Sequence, residues 1–228
     1  MKIETIRHSL SHIMAYAVEE FFPGAKFGIG PAIENGFYYD FDLSAVASRE
    51  GGFTLEDLPK IENKMRELIK KDIFFKKQIV SKKEAAELFQ SQPYKLELID
   101  DLEENKISIY KSGEFTDLCA GPHVKYSKEI PADAFKLVKV AGAYWKGSEK
   151  NKMIQRIYGI AFLSKNELQS FIALQKEAEK RDHRVLGQKL GLFIFDEEVG
   201  AGLPLWTGKV TKIRKMIENY LYKELDSA

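Results

Sequence analysis

The chain has almost no cysteine and no long apolar run. One cysteine among 228 residues cannot close an intrachain disulfide. A reducing, cytoplasmic setting is therefore expected. Nothing approaches the roughly eighteen consecutive apolar residues that a membrane-spanning helix needs, so no membrane partner is expected. The first residues, Met1 to His8, lack the apolar stretch of a signal peptide. An excess of one charge sign is missing too. Thirty-five Lys and Arg meet thirty-four Asp and Glu, for a net charge of +1. That excludes a uniformly basic coat for nucleic acid but leaves room for local basic patches. Internal repeats and low-complexity tracts are absent. What remains is ordinary for a globular protein, with 44% hydrophobic and 30% charged residues.

Hydrophobic spacing predicts a first helix over 5–22, with Ile6, Leu10, Ile13, Met14, Ala17, Val18 and Phe21 on one face and Pro23-Gly24 ending it. Short aromatic runs around Glu34-Asn35-Gly36 predict a β-hairpin over 25–43, followed by a loop over 44–52. Further helices are expected over 55–71 and 82–90. Strands are expected over 73–80, 95–99, 107–111, 135–140, 143–146 and 153–162, and a turn over 116–123. A single charged helix is expected over 165–190. After it come an apolar segment over 192–195, the glycine-rich Gly200-Ala-Gly202, the run Leu203-Pro-Leu-Trp206 and a last helix over 207–225. The fold class is α+β, with antiparallel sheets and packed helices enclosing a groove and a long linker helix behind them.

Three of the four histidines and the lone cysteine form two matched pairs, His8-Ser-Leu-Ser-His12 and Cys119-Ala-Gly-Pro-His123. On a helix, His8 and His12 lie one turn apart on the same side. Two His from a helix plus a Cys and a His from a turn suit a tetrahedral zinc. They equally suit a metal-free hydrolytic site, in which neutral imidazole takes a proton from water. The bland alternative makes the histidines part of the core and Cys119 a small buried hydrophobe. Asp117 could orient an imidazole or an ammonium, or simply shape a turn. Lys95 and Tyr110 fall on the expected strands flanking the acidic loop 100–105, where solvated side chains are the commoner outcome.

Basic charge is local. Residues 60–83 carry nine Lys and Arg against three acids, a surplus of six. A smaller cluster, Lys146, Lys150, Lys152 and Arg156, lies beside Tyr144 and Trp145. Cations interleaved with aromatics suit a single-stranded nucleic acid end. A solvated helix face is the plainer account of the first cluster.

In this order, His8-Ser-Leu-Ser-His12, Gly30-Pro-Ala-Ile-Glu-Asn-Gly-Phe-Tyr-Tyr-Asp40 and Asp117-Leu-Cys-Ala-Gly-Pro-His123 resemble the editing domain of bacterial-type threonyl-tRNA synthetases. Arg181-Asp-His-Arg184 through Phe193, with Gly202-Leu-Pro-Leu-Trp206, resembles that family's linker and the start of its class II catalytic domain. The resemblance implies hydrolysis of mischarged seryl-tRNA(Thr). It implies a site of His8, His12, Cys119 and His123, supported by Lys95, Asp117 and Tyr110, with Tyr39 as a wall. It implies no cofactor. The related alanyl-tRNA deacylases carry the same two pairs and hold zinc, which here would sit on His8, His12, Cys119 and His123.

On this reading residues 1–162 are the editing domain, 163–186 the linker helix and 187–228 a truncated start of the catalytic domain. The resemblance implies that the small domain preceding editing in the family is missing, and Trp206-Thr-Gly-Lys209 lacks the proline usual there. The chain is expected to bind the acceptor end of tRNA(Thr) and to edit without aminoacylating. Its partners would be the missing catalytic and anticodon-binding domains. The alternatives are a zinc-dependent alanyl-tRNA-type deacylase and a non-catalytic tRNA-binding fragment.

Overall fold

The structure, a computed structural model, describes residues 2–46, 51–200 and 202–226. The middle of the loop expected over 44–52, Ala201 of the glycine-rich segment and the chain end at Ser227-Ala228 lie outside the described residues. Two compact units form, residues 1–169 and 170–228.

The first unit opens with helix α1 (Ile3–Phe21). Its spacing buries Ile6, Leu10, Ile13, Met14, Ala17 and Val18. Each such large side chain taken from water contributes about 1.5–3 kcal/mol. Strands β1 (Lys26–Phe27), β2 (Ala32–Ile33) and β3 (Gly36–Asp42) follow. The Glu34-Asn35 turn joins β2 to β3, as the sequence predicts, with Ile33 opposite Gly36. Helix α2 (Asp57–Lys70) packs on α1 through Leu58, Ile61, Met65 and Leu68. Strand β4 (Phe75–Ser81) leads into α3 (Lys82–Leu88). The Ser81 hydroxyl accepts from the Glu84 backbone N–H, and the Glu84 carboxylate accepts from the Ser81 N–H. That reciprocal cap starts α3.

Next comes α4 (Pro93–Asp101), where the sequence suggested a strand over 95–99. Alternating Lys95-Leu-Glu-Leu-Ile99 mimics the period of two. Pro93 decides otherwise, because its fixed φ and missing N–H suit a first helical turn. Strands β5 (Lys106–Ser112) and β6 (Phe115–Leu118) complete an antiparallel sheet in the order β4-β5-β6. The segment expected as a bare turn over 116–123 thus begins as a strand.

Strands β7 (Phe135–Tyr144) and β8 (Met153–Ala161) join the large sheet, ordered β1-β3-β8-β7 with β2 on β3. The two strands expected over 135–146 are one strand, β7, with a register shift between Leu137 and Lys139. Tyr39 of β3 faces Ile157 of β8. Every strand pair in both sheets is antiparallel, which is the expected α+β class. Among the described residues no helix is long and apolar enough to cross a membrane.

Helix α5 (Lys165–Lys180) runs from the first unit into the second. The continuous helix expected over 165–190 stops at Lys180. A new helix, α6 (His183–Lys189), starts where the Asp182 carboxylate accepts the Arg184 N–H at 2.8 Å. Aspartate as an N-cap outweighs the unbroken charge pattern. The second unit continues with a hairpin of β9 (Phe193–Phe195) and β10 (Pro204–Trp206) and ends in α7 (Gly208–Asp226). Gly187 of α6 lies so near the Phe193 ring that a Cβ there would stand 2.1 Å from it.

Candidate active site

Helix α1 presents His8 and His12 one turn apart, their ring centroids 5.3 Å from each other. Strand β6 ends at Leu118, and the chain then turns through Cys119 to His123 against that helix. The Cys119 Sγ is 3.3 Å from His8 Nε2 and 3.2 Å from His123 Nε2. One ligand atom from each of the four residues falls within 4.8 Å of all the others. The two pairs, more than a hundred residues apart in sequence, therefore converge.

Hydrogen bonds fix two tautomers. His8 Nδ1 lies 3.2 Å from the Pro122 carbonyl, which can only accept. His8 therefore carries its proton on Nδ1, and its Nε2 lone pair faces the sulfur. The Ser9 hydroxyl donates to the Thr5 carbonyl at 2.8 Å and accepts the Val124 N–H at 3.0 Å. Toward His123 Nδ1, 3.1 Å away, Ser9 can then only accept. His123 is likewise protonated on Nδ1 with a free Nε2 lone pair. Two lone pairs thus meet one thiol, which has one hydrogen to donate. Burial pushes the Cys119 thiol up to about 11 from its ordinary 9.0, so sulfur keeps that hydrogen at neutral pH. Burial also lowers the pKa of His8, of His12 and, strongly, of His123. All three rings are neutral near pH 7.

A buried charged triangle supports the cluster. Lys95 Nζ pairs with the Asp117 carboxylate and donates to the Tyr39 hydroxyl at 3.0 Å. Tyr39 in turn donates to Asp117 Oδ2 at 2.6 Å, and His12 Nε2 lies 3.4 Å from the same oxygen. Lys95 is therefore not a solvated strand residue. It sits inside, on helix α4. Tyr39 is fully buried beneath the cluster and does not wall the opening. Tyr110 packs edge-on against His123, with centroids 4.5 Å apart. Its hydroxyl crowds Gly121, whose φ of +80° is left-handed and whose added Cβ would stand 2.3 Å from that oxygen. Phe75 stacks on His123 at 5.3 Å and 20°. Ser9 and Phe75 escaped the sequence reading. Ser9 sits inside the His-x-x-x-His motif itself, and that position was its only signal.

Of the four clustered residues, His8 lines a cavity of about 710 Å³, with Thr5, Pro31, Ala32 and Pro122 around it. The opening lies between α1 and the turn after Cys119. The donor set fits zinc, which takes N and S ligands at about 2.0–2.3 Å in a tetrahedron. His12 Nδ1 is buried and has no hydrogen-bond partner among the described residues, as an imidazole nitrogen reserved for a ligand would be.

The basic clusters fare differently. Lys146 pairs with Glu97 and Asp101, Lys152 with Asp42, and Arg156 with Asp40. Most of the positive charge of the second cluster is thereby spent within the fold. In the first cluster, Lys64 pairs with Glu20 and Arg66 with Glu62.

Comparison with known proteins agrees with the geometry. Residues 107–158 match the family described as "Threonyl and Alanyl tRNA synthetase second additional domain". The threonine–tRNA ligase of Dehalococcoides mccartyi strain BAV1 is 50% identical over 97% of this chain and 37% of its own length. Those of Geobacter sp. strain M21 and Gloeobacter violaceus are 50% and 48% identical over 97% and 98% of the chain, and over 34% and 35% of their own lengths. The chain spans about a third of the length of the curated relatives it matches.

Proposed function

We propose that this chain, a member of the threonine–tRNA ligase family over the third of those proteins that it spans, hydrolyses the aminoacyl ester of mischarged seryl-tRNA(Thr). The observation that carries the reading is the meeting of two imidazole lone pairs on the Cys119 thiol at the edge of a cavity. Residues 1–162 act as the editing domain, 163–186 as the linker and 187–228 as the start of the catalytic domain. The need for such a step is physical. Serine is threonine less one methyl, and a methyl discriminates by only about 1–3 kcal/mol.

The 3′ adenosine and its ester enter the cavity beside His8. The thiol hydrogen satisfies one imidazole, His123, and leaves the Nε2 lone pair of His8 for water. Water gives its proton to His8 as its oxygen adds to the carbonyl carbon. The bond to the ribose oxygen then breaks. The proton passes to that oxygen, releasing serine and tRNA. Cys119 holds the ester in place. Lys95, bound to Asp117 and Tyr39, compensates the buried carboxylate and fixes its position. Asp117, His12 and Tyr39 hold this arrangement in register, and Tyr110 holds the His123 ring. A polar contact selects the seryl hydroxyl, and crowding rejects the extra methyl of threonine.

The unpartnered His12 nitrogen favours a second reading, zinc held by His8, His12, Cys119 and His123. With one of those four ligands released to open a position, the metal would supply Lewis-acid polarisation of the ester. A deacylation assay comparing seryl- with threonyl-tRNA(Thr) tests the main reading. Selective loss of the seryl ester is expected. Equal stability of both esters in the presence of folded protein would refute it and leave a tRNA-binding fragment.

A further inference from the structure

Phe74 and Tyr126 lie side by side on the surface, 45% and 40% exposed. Their ring centroids are 5.3 Å apart, and an isolated bridge joins their backbones. Lys125 Nζ lies 5.6 Å from the Tyr126 centroid. Lys76 follows Phe74 by two residues and so shares its face of the strand. Directly across the sheet from Lys76 stands Lys111. Like charges placed opposite each other destabilise a ladder, and an external anion offsets that cost. The nearby acids are already engaged. Asp72 pairs with Lys128 at 3.2 Å, and the Glu129 carboxylate accepts the Tyr126 N–H at 2.7 Å. Lys76, Lys111 and Lys125 make no ion pair among the described residues.

This patch is built onto the site from behind. Phe75 turns to the opposite face from Phe74 and stacks on His123, and its N–H donates to the Lys125 carbonyl. Exposed rings flanked by uncommitted cations take nucleobases on their faces and phosphates on their ammonium groups.

We infer that Phe74 and Tyr126, with Lys76, Lys111 and Lys125, form a stacking platform for unpaired RNA nucleotides. The choice of RNA over a protein partner rests on this charge and on the proposed function above.

The test uses this chain and a fluorescent single-stranded RNA ending in CCA, with affinity read by anisotropy. Phe74→Ser with Tyr126→Ser should weaken binding by roughly 10- to 100-fold, the scale of losing base stacking. Tyr126→Phe, which keeps the ring, should bind like the parent. So should Phe21→Ser, which removes an exposed ring on helix α1, outside both basic clusters. Lys76→Glu with Lys111→Glu should flatten the dependence of log affinity on log salt by roughly one per lost phosphate contact. Circular dichroism checks that each variant is folded. Parent-like RNA affinity in the folded serine variant would overturn the proposal and mark the rings as covered by protein instead. Hydrolysis of a seryl ester of adenosine separates the two readings. The platform variants should retain it. A parent that binds RNA through the platform but cleaves no ester would sink the proposed function alone.

Discussion

The Tyr39 hydroxyl donates to the Asp117 carboxylate at 2.6 Å, and solvent reaches neither residue appreciably. Lys95 closes the triangle with a buried ammonium. Two charges in one dry place stand only because each answers the other. Asp117→Ala would strand the ammonium and should cost about 3–5 kcal/mol. Urea unfolding would show it as a lowered midpoint. Asp117→Leu combined with Lys95→Met should recover most of that loss. An unchanged midpoint in the single variant would mean the pair is wetter than its burial indicates.

Direct chemistry by His8 and Cys119 makes a second expectation. His8→Ala and Cys119→Ala should each slow seryl-tRNA hydrolysis by on the order of tenfold to ten-thousandfold. Their melting temperatures should stay near that of the parent, because His8 and Cys119 are only half-buried and Cys119 packs at the edge of the apolar core. Single-turnover rates decide. A parent-like rate in both variants would remove these residues from the reaction.

The depressed histidines set the acid side of stability. Folding lowers the pKa of His8, His12 and His123 below the ordinary 6.5. As pH falls through 6.5 the unfolded chain takes up protons that the fold refuses. Stability is thus complete above that value and declines below it, by up to about 1.4 kcal/mol per pH unit for each histidine. Cys119 acts on the alkaline side. Its folded value of about 11 exceeds the ordinary 9.0, so its share is present below pH 9 and lost as pH rises toward 11. Unfolding curves across pH should show both declines. Histidine-to-glutamine variants should flatten the acid one.

Metal analysis separates the two hydrolytic readings. A closed set of four protein ligands leaves no position for a reacting water. Purified protein is expected to stay folded and active after exhaustive chelation. Stoichiometric zinc whose removal abolishes both fold and hydrolysis would favour the metal-dependent reading.

The sequence shows α1 and the β2–β3 hairpin plainly, because apolar spacing and an Asn-Gly turn are local signals. The matched pairs His8/His12 and Cys119/His123 also stand out, since rare residue types repeat at one spacing. Lys95 does not. Its alternating neighbours imitate a strand, and its burial follows from Asp117 and Tyr39, which arrive from other parts of the chain. The break between α5 and α6 turns on one capping carboxylate, Asp182, within a run of charges that otherwise continues. Ser9 shows the limit most sharply. Its role is set by Thr5, His123 and Val124 together, and only the first is near it in sequence.

Cys119 meets His8 across 111 positions of chain. On a ribosome adding about 5–20 residues per second, the helix bearing His8 is made roughly 6–22 s before its sulfur partner exists. No shorter nascent piece can hold the assembled cluster. The cluster thus cannot assemble until the chain has been made through His123, when strands β1 to β6 exist and β7 and β8 do not.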